Sequence, residues 1–144
     1  MKTQQEMIKM HTSEIRRYKH ILSTRLEQTI RALDRLHDET RSIDSDSPSD
    51  SADQCVLSLS RESLFRQSGE RRAMVRKIED ALDRIKENTF GICIGCGDNI
   101  NSRRLEALPW TQYCLDCQED LERDETFKRQ TGLHHREVAL RKTG

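Results

Sequence analysis

The chain has 144 residues; 25 Lys/Arg are balanced by 25 Asp/Glu, 35% of residues are charged and 33% are hydrophobic. That leaves too little apolar surface for a single thick core, and two prolines with six glycines are too few for the turns of a β-sandwich or barrel. A net charge of zero removes the simplest basis for non-specific nucleic-acid binding. No apolar run approaches the ~20 residues that cross a bilayer, and Met1-Lys2-Thr3-Gln4-Gln5-Glu6 has no apolar signal core. The expectation is a soluble, cytoplasmic, extended helical protein.

From the N-terminus, apolar residues recur in sevens. Ile8, Ile15, Leu22, Thr29, Leu36 and Ile43 share one heptad position, with Tyr18, Leu26, Ile30, Leu33 and Thr40 beside them. Met1 to Ser47 contains neither Gly nor Pro, so the pattern predicts one helix over about 5–43. At 1.5 Å per residue it is roughly 57 Å long, and such a helix needs a partner along its face. The stretch 44–53 ends it, with Pro48 and four aspartates (Asp44, Asp46, Asp50, Asp53) but no basic residue. A second stripe, Leu57, Leu64, Val75, Ile78, Leu82 and Ile85, predicts a helix over about 51–88, weakened in its middle by Ser68-Gly69. Two such helices joined by a short polar loop fold back on each other. The fold class expected is therefore all-α: a long antiparallel coiled-coil hairpin over 1–89, with its tip at 44–53.

Asp50 and Asp53 stand three apart at the start of the second helix. As N-cap and N3 residues they would accept backbone N–H groups and favour the positive end of the helix dipole. The same arrangement would hold two carboxylates in place on a slender tip, ready for a partner's metal ion or basic groups. On the first helix, Arg16, Arg17, Lys19, Arg25, Arg31 and Arg35 read as a solvated face.

Five cysteines follow the aspartates in the chain: Cys55, Cys93, Cys96, Cys114 and Cys117. Four of them form C-x2-C-x17-C-x2-C, a zinc-site spacing. A tight two-residue turn presents two thiolates to one ion, and Gly95 and Gly97 suit that turn through positive φ or close approach to sulfur. Four thiolates close a tetrahedral zinc shell and leave no position for water, so the ion is expected to be structural. It would hold module 90–117, which is too small to fold on a core of its own. Cys55 reads as a small apolar residue near a helix start. A last helix is expected over 118–140, with Leu121, Phe127, Leu133, Val138 and Leu140 as packing candidates and Thr131-Gly132 as an interruption. His134 and His135 fall on its polar side, and 141–144 reads as a frayed end.

The run Phe90-Gly91-x-Cys93-x-x-Cys96-Gly97-x-x-Ile100-x-x-x-Arg104-Leu105-Glu106-Ala107-x-Pro109, followed by Cys114-x-x-Cys117, resembles the zinc finger of DksA/TraR-type bacterial transcription regulators. The likeness extends more loosely over residues 45–118. It implies a hairpin that enters the secondary channel of RNA polymerase and brings tip aspartates toward the catalytic centre, altering open-complex stability. The family's tip signature, Asp-x-x-Asp-x-Ala, falls on Asp50-Ser-Ala-Asp53-Gln-Cys55, with Cys55 in place of alanine. Lys77 matches a basic position that helps bind guanosine tetraphosphate in some members. Two other basic positions of that site are here Leu108 and Gln118, so a response to that nucleotide is not expected. The resemblance also gives the basic face of the first helix a possible acidic channel rim to meet.

Two alternatives stand beside this reading: a zinc ribbon that binds DNA directly, and a structural adaptor. The finger offers a phosphate backbone only Arg103 and Arg104, against Asp98, Glu106 and Asp116. Those arginines read more simply as braces to the stem, and Trp110 and Tyr113 as packing beneath the zinc site. The chain has no H-E-x-x-H, no phosphate-binding loop and no dinucleotide fingerprint, so no catalytic residue is expected.

Overall fold

A computed structural model describes residues 10–45 and 50–131; expectations on Ile8, on 1–9 and on 132–144, with His134 and His135, lie outside them. The described residues form four helices: α1 (Thr12–Ser45), α2 (Ser51–Lys86), α3 (Ser102–Ala107) and α4 (Leu115–Thr131). α1 continues two residues past the expected end at Ile43, and α2 closes two residues short of 88. The early stop is local chemistry. Asn88 takes φ +58, a left-handed conformation that asparagine tolerates better than most residues. Thr89 and Phe90 then donate their N–H groups to the Arg84 carbonyl at 2.9 and 3.1 Å, satisfying helix-end acceptors.

α1 and α2 pack on each other as an antiparallel hairpin. The heptad positions 15, 22, 29, 36 and 43 of α1 run against 85, 78, 71, 64 and 57 of α2. Ile15 and Ile85 accordingly share one cavity and Thr29 and Arg71 another. Leu22 and Ile78 are both 0% exposed, each burial stabilising by ~1.5–3 kcal/mol. Ala32 and Ala81 are buried as well; their small side chains let the helices approach. Ile30 is 42% exposed, because it follows Thr29 by one residue and that step of 100° turns it away from the seam.

The tightest packing lies at the base of the hairpin. Tyr18, Leu22, Ile78, Ala81, Ile85, Phe90, Cys93, Ile100 and Leu105 form one cluster shared by both helices and the cysteine module. The Tyr18 and Phe90 rings meet at 5.3 Å, tilted by 46°. Toward the tip the seam thins to Ala32, Leu36 and Leu64. α4 stands off this core: residues 119–126 are all exposed, and Leu121 is a surface residue.

Candidate metal centre and hairpin tip

The first cysteine pair sits on a knuckle built from backbone bonds. Cys93 N–H donates to the Asp98 carbonyl at 2.8 Å and Gly97 N–H to the Cys93 carbonyl at 2.9 Å. An antiparallel bridge between Ile92 and Asn99 closes the loop below. Gly97 has φ +79 and Gly91 φ +83, conformations in which a Cβ is strained. Gly95 is required for a different reason: a Cβ there would lie 2.9 Å from Cys117 Sγ and 3.2 Å from Cys117 Cβ. Ile94 N–H donates to the Gln112 carbonyl at 3.0 Å, tying this knuckle to the irregular segment that leads into Cys114. The second pair lies at the start of α4, where Gln118 N–H donates to the Cys114 carbonyl at 3.0 Å. The last helix thus opens at Leu115, inside the cysteine module rather than after it.

The fold brings Cys93, Cys96, Cys114 and Cys117 together, their four sulfurs within 4.8 Å of one another. All four thiols are free. A tetrahedron with Zn–S bonds of about 2.3 Å has S···S edges of roughly 3.8 Å, and Cys96 and Cys114 Sγ stand 3.8 Å apart. The donor set and spacing fit one zinc ion, held structurally with no position left for substrate. Burial pushes the Cys93 thiol up, but N–H groups of Cys114, Cys96 and Gly95 outweigh it and bring it down to about 6. The Cys117 thiol is raised, through its hydrogen bonds with the Cys114 and Cys93 sulfurs. The apo cluster therefore shares protons unequally, and a bound cation converts it to thiolates.

Three contacts fix this module to the hairpin. The Arg84 guanidinium, at the end of α2, donates to the Thr89 and Ile92 carbonyls, and burial lowers its pKa. Gln112 Nε2 donates to Asp80 Oδ2 at 3.1 Å. The Arg25 guanidinium lies 5.9 Å from the Trp110 ring centroid. Arg104 braces the module internally, Nε to the Tyr113 carbonyl at 3.0 Å, while Arg103 is exposed. The bracing expected of Arg103 and Arg104 thus falls largely to Arg84, Asp80 and Arg25, whose roles have no motif in the sequence.

At the opposite end Asp50 is the N-cap of α2, in extended conformation (φ −146, ψ 177). Its Oδ1 accepts the Asp53 N–H at 2.9 Å. Both aspartates are exposed. Cys55 is exposed too, on the outward side of α2 with Val56 (63%) and Leu59 (62%), so it packs in no core. α2 separates this tip from the cysteine module by about 54 Å. Lys77 is exposed on the basal half of α2. No helix of the described residues is long and apolar enough to cross a membrane.

Residues 88–123 match the family model of the prokaryotic dksA/traR C4-type zinc finger. An uncharacterized protein of Aquifex aeolicus (strain VF5) is 40% identical over 81 residues, 56% of each chain. The RNA polymerase-binding transcription factor DksA of Escherichia coli (strain K12) is 44% identical over 46 residues, 32% of this chain and 30% of that one. The chain thus spans about half or less of the curated relatives it matches. The structure of transcription factor DksA2 from Pseudomonas aeruginosa superposes with a TM-score of 0.71 at 23% identity, covering 80% of this chain and 88% of that one. That likeness establishes the fold.

Proposed function

We propose that the chain is a DksA/TraR-type regulator, its finger matching that family's zinc-finger model over residues 88–123, and that it binds RNA polymerase and regulates transcription initiation without catalysing a reaction of its own. The reading is carried by one observation: a family-matched finger (residues 88–123) forms the base of a rod whose far end exposes two carboxylates. In this reading the hairpin enters the secondary channel of the enzyme. The cap bond through Asp50 Oδ1 fixes the direction of the Asp50 carboxylate. Asp50 and Asp53 then act on basic groups or metal-bound water near the catalytic centre, shifting promoter-complex lifetime. Zinc holds the base rigid, so a load at the tip is not lost in hinge motion.

Direct duplex binding fits the finger poorly. Arg84 and Arg104 spend their donors on backbone carbonyls, leaving few cations for phosphates. Guanosine tetraphosphate is not part of the proposal, since Lys77 lacks the two basic companions replaced by Leu108 and Gln118. The zinc-loaded protein should co-elute with core RNA polymerase and fail to retard free duplex DNA at about 0.15 M salt. Retardation of DNA without polymerase, or no co-elution, would overturn the assignment.

A further inference from the structure

The two cysteine knuckles share a feature outside their ligands. The leading cysteine of each follows a residue whose carbonyl is held by a guanidinium. On the first knuckle, Arg84 Nη2, in the last turn of α2, donates to the carbonyl of Ile92, the residue before Cys93, and to that of Thr89. On the second, Arg104 Nε, on α3, donates to the carbonyl of Tyr113, the residue before Cys114, at 3.0 Å. The same two peptides donate in turn through their N–H groups. Cys93 N–H reaches the Asp98 carbonyl at 2.8 Å and closes the first knuckle, while Cys114 N–H donates to Cys93 Sγ at 3.3 Å. An unbroken path therefore runs from the Arg104 guanidinium, through one peptide, to a ligand sulfur. Arg84 and Arg104 are both half-buried, whereas Arg103, beside Arg104 on α3, is exposed. Burial lowers the Arg84 pKa, and the charges of the Cys93 sulfur and Glu87 oppose that fall.

Zinc held by four thiolates leaves an excess of negative charge, which is stabilised by nearby cations and by N–H groups aimed at sulfur. Hydrogen bonds in series polarise one another, so a guanidinium on a carbonyl makes the N–H of the same peptide a stronger donor. We propose that Arg84 and Arg104 are positioning residues of the metal centre, one guanidinium on the peptide before each leading cysteine, fixing that cysteine's backbone and offsetting the charge of the loaded thiolates. Arg104 acts on the Cys93 sulfur through the Cys114 N–H. Arg84 acts through the Cys93 backbone and ties the metal to the end of α2. Zinc retention thereby depends on two helices that lie outside the cysteine motif. Neither role depends on polymerase binding.

The test is transfer of zinc from the loaded full chain to a chromophoric chelator, together with the thiolate charge-transfer bands of the cobalt-substituted protein. Arg84→Gln and Arg104→Gln should each weaken metal affinity by about 10- to 100-fold, with the helicity of the loaded protein retained. Glutamine keeps an N–H donor without the charge, and lysine keeps the charge without the planar fork. Arg84→Lys and Arg104→Lys should therefore bind metal more tightly than their glutamine counterparts, which separates a charge role from bracing alone. Arg104→Gln should also shift the cobalt bands, because its loss weakens the N–H bond to the Cys93 sulfur. Arg103→Gln, on the exposed side of the same helix, should leave affinity within about twofold and the bands unchanged. The two positions lie on different helices, so if one glutamine variant misfolds the other decides. Glutamine variants with wild-type affinity, or lysine variants no tighter than glutamine, would overturn the proposal.

Discussion

Replacing Gly95 by alanine tests how closely the zinc knuckle is packed on its own ligand. The new Cβ would stand 2.9 Å from Cys117 Sγ and 3.2 Å from its Cβ, well inside the ~3.5–4 Å of an ordinary contact. Cys117 cannot retreat without stretching a Zn–S bond of about 2.3 Å, and the knuckle backbone is pinned by the Ile94 to Gln112 bond. Overpacking of this kind costs about 1–3 kcal/mol, or roughly 5- to 150-fold in zinc affinity. Competition with a chromophoric chelator measures that loss. Gly97→Ala is the control, because nothing lies within 4 Å of its Cβ. It carries only the left-handed strain of φ +79, about 1–2 kcal/mol. In the cobalt-substituted protein, Gly95→Ala should distort the thiolate charge-transfer bands and Gly97→Ala should not. Wild-type affinity and an unchanged cobalt spectrum for Gly95→Ala would show that Cys117 sulfur is not seated where the argument requires.

Other substitutions probe the rod and the tip. Gly69→Ala meets open space inside α2 and should stabilise the hairpin by about 0.5–1 kcal/mol in urea unfolding. Asp50→Ala removes the cap and should cost about 1 kcal/mol, whereas Asp50→Asn keeps a capping oxygen and should cost almost nothing. Ile78→Ala, at the centre of the basal cluster, should lose about 2–5 kcal/mol. Zinc loading at about pH 7.5 should release fewer than four protons per ion, because Cys93, depressed to about 6, is already ionised there. A depressed thiol stabilises the fold above its unfolded pKa, and that contribution is lost as pH falls through about 6. Calorimetry in buffers of different ionisation enthalpy measures the protons released.

The rod was legible because its information is periodic. A heptad stripe on each helix, an unbroken run without Gly or Pro, and the Ser/Asp/Pro stretch between them lead to an antiparallel hairpin. The cysteine spacing and Gly97 announce the metal module for a similarly local reason. Contacts that join distant segments leave no such trace. Arg84 looks like an ordinary charge in the last turn of a helix, yet its donors hold the first knuckle. Gln112 and Asp80, and Arg25 and Trp110, meet only because the module folds back along the stem. Cys55 does lie near a helix start, but composition alone does not reveal which side of that start faces the seam, and the residue is exposed. Ile30 fell among the seam candidates because apolar character was counted without its heptad position.

The measurement closest to the central claim is the lifetime of promoter complexes formed by the RNA polymerase of the source cell, with the wild-type protein and with the Asp50→Asn, Asp53→Asn double variant. Helicity, zinc content and polymerase co-elution should match in the two proteins, since asparagine retains the cap. The account predicts that the wild-type protein changes complex lifetime and that the double variant does not. A double variant that binds polymerase and shifts the lifetime as the wild type does would reduce the two carboxylates to a helix cap.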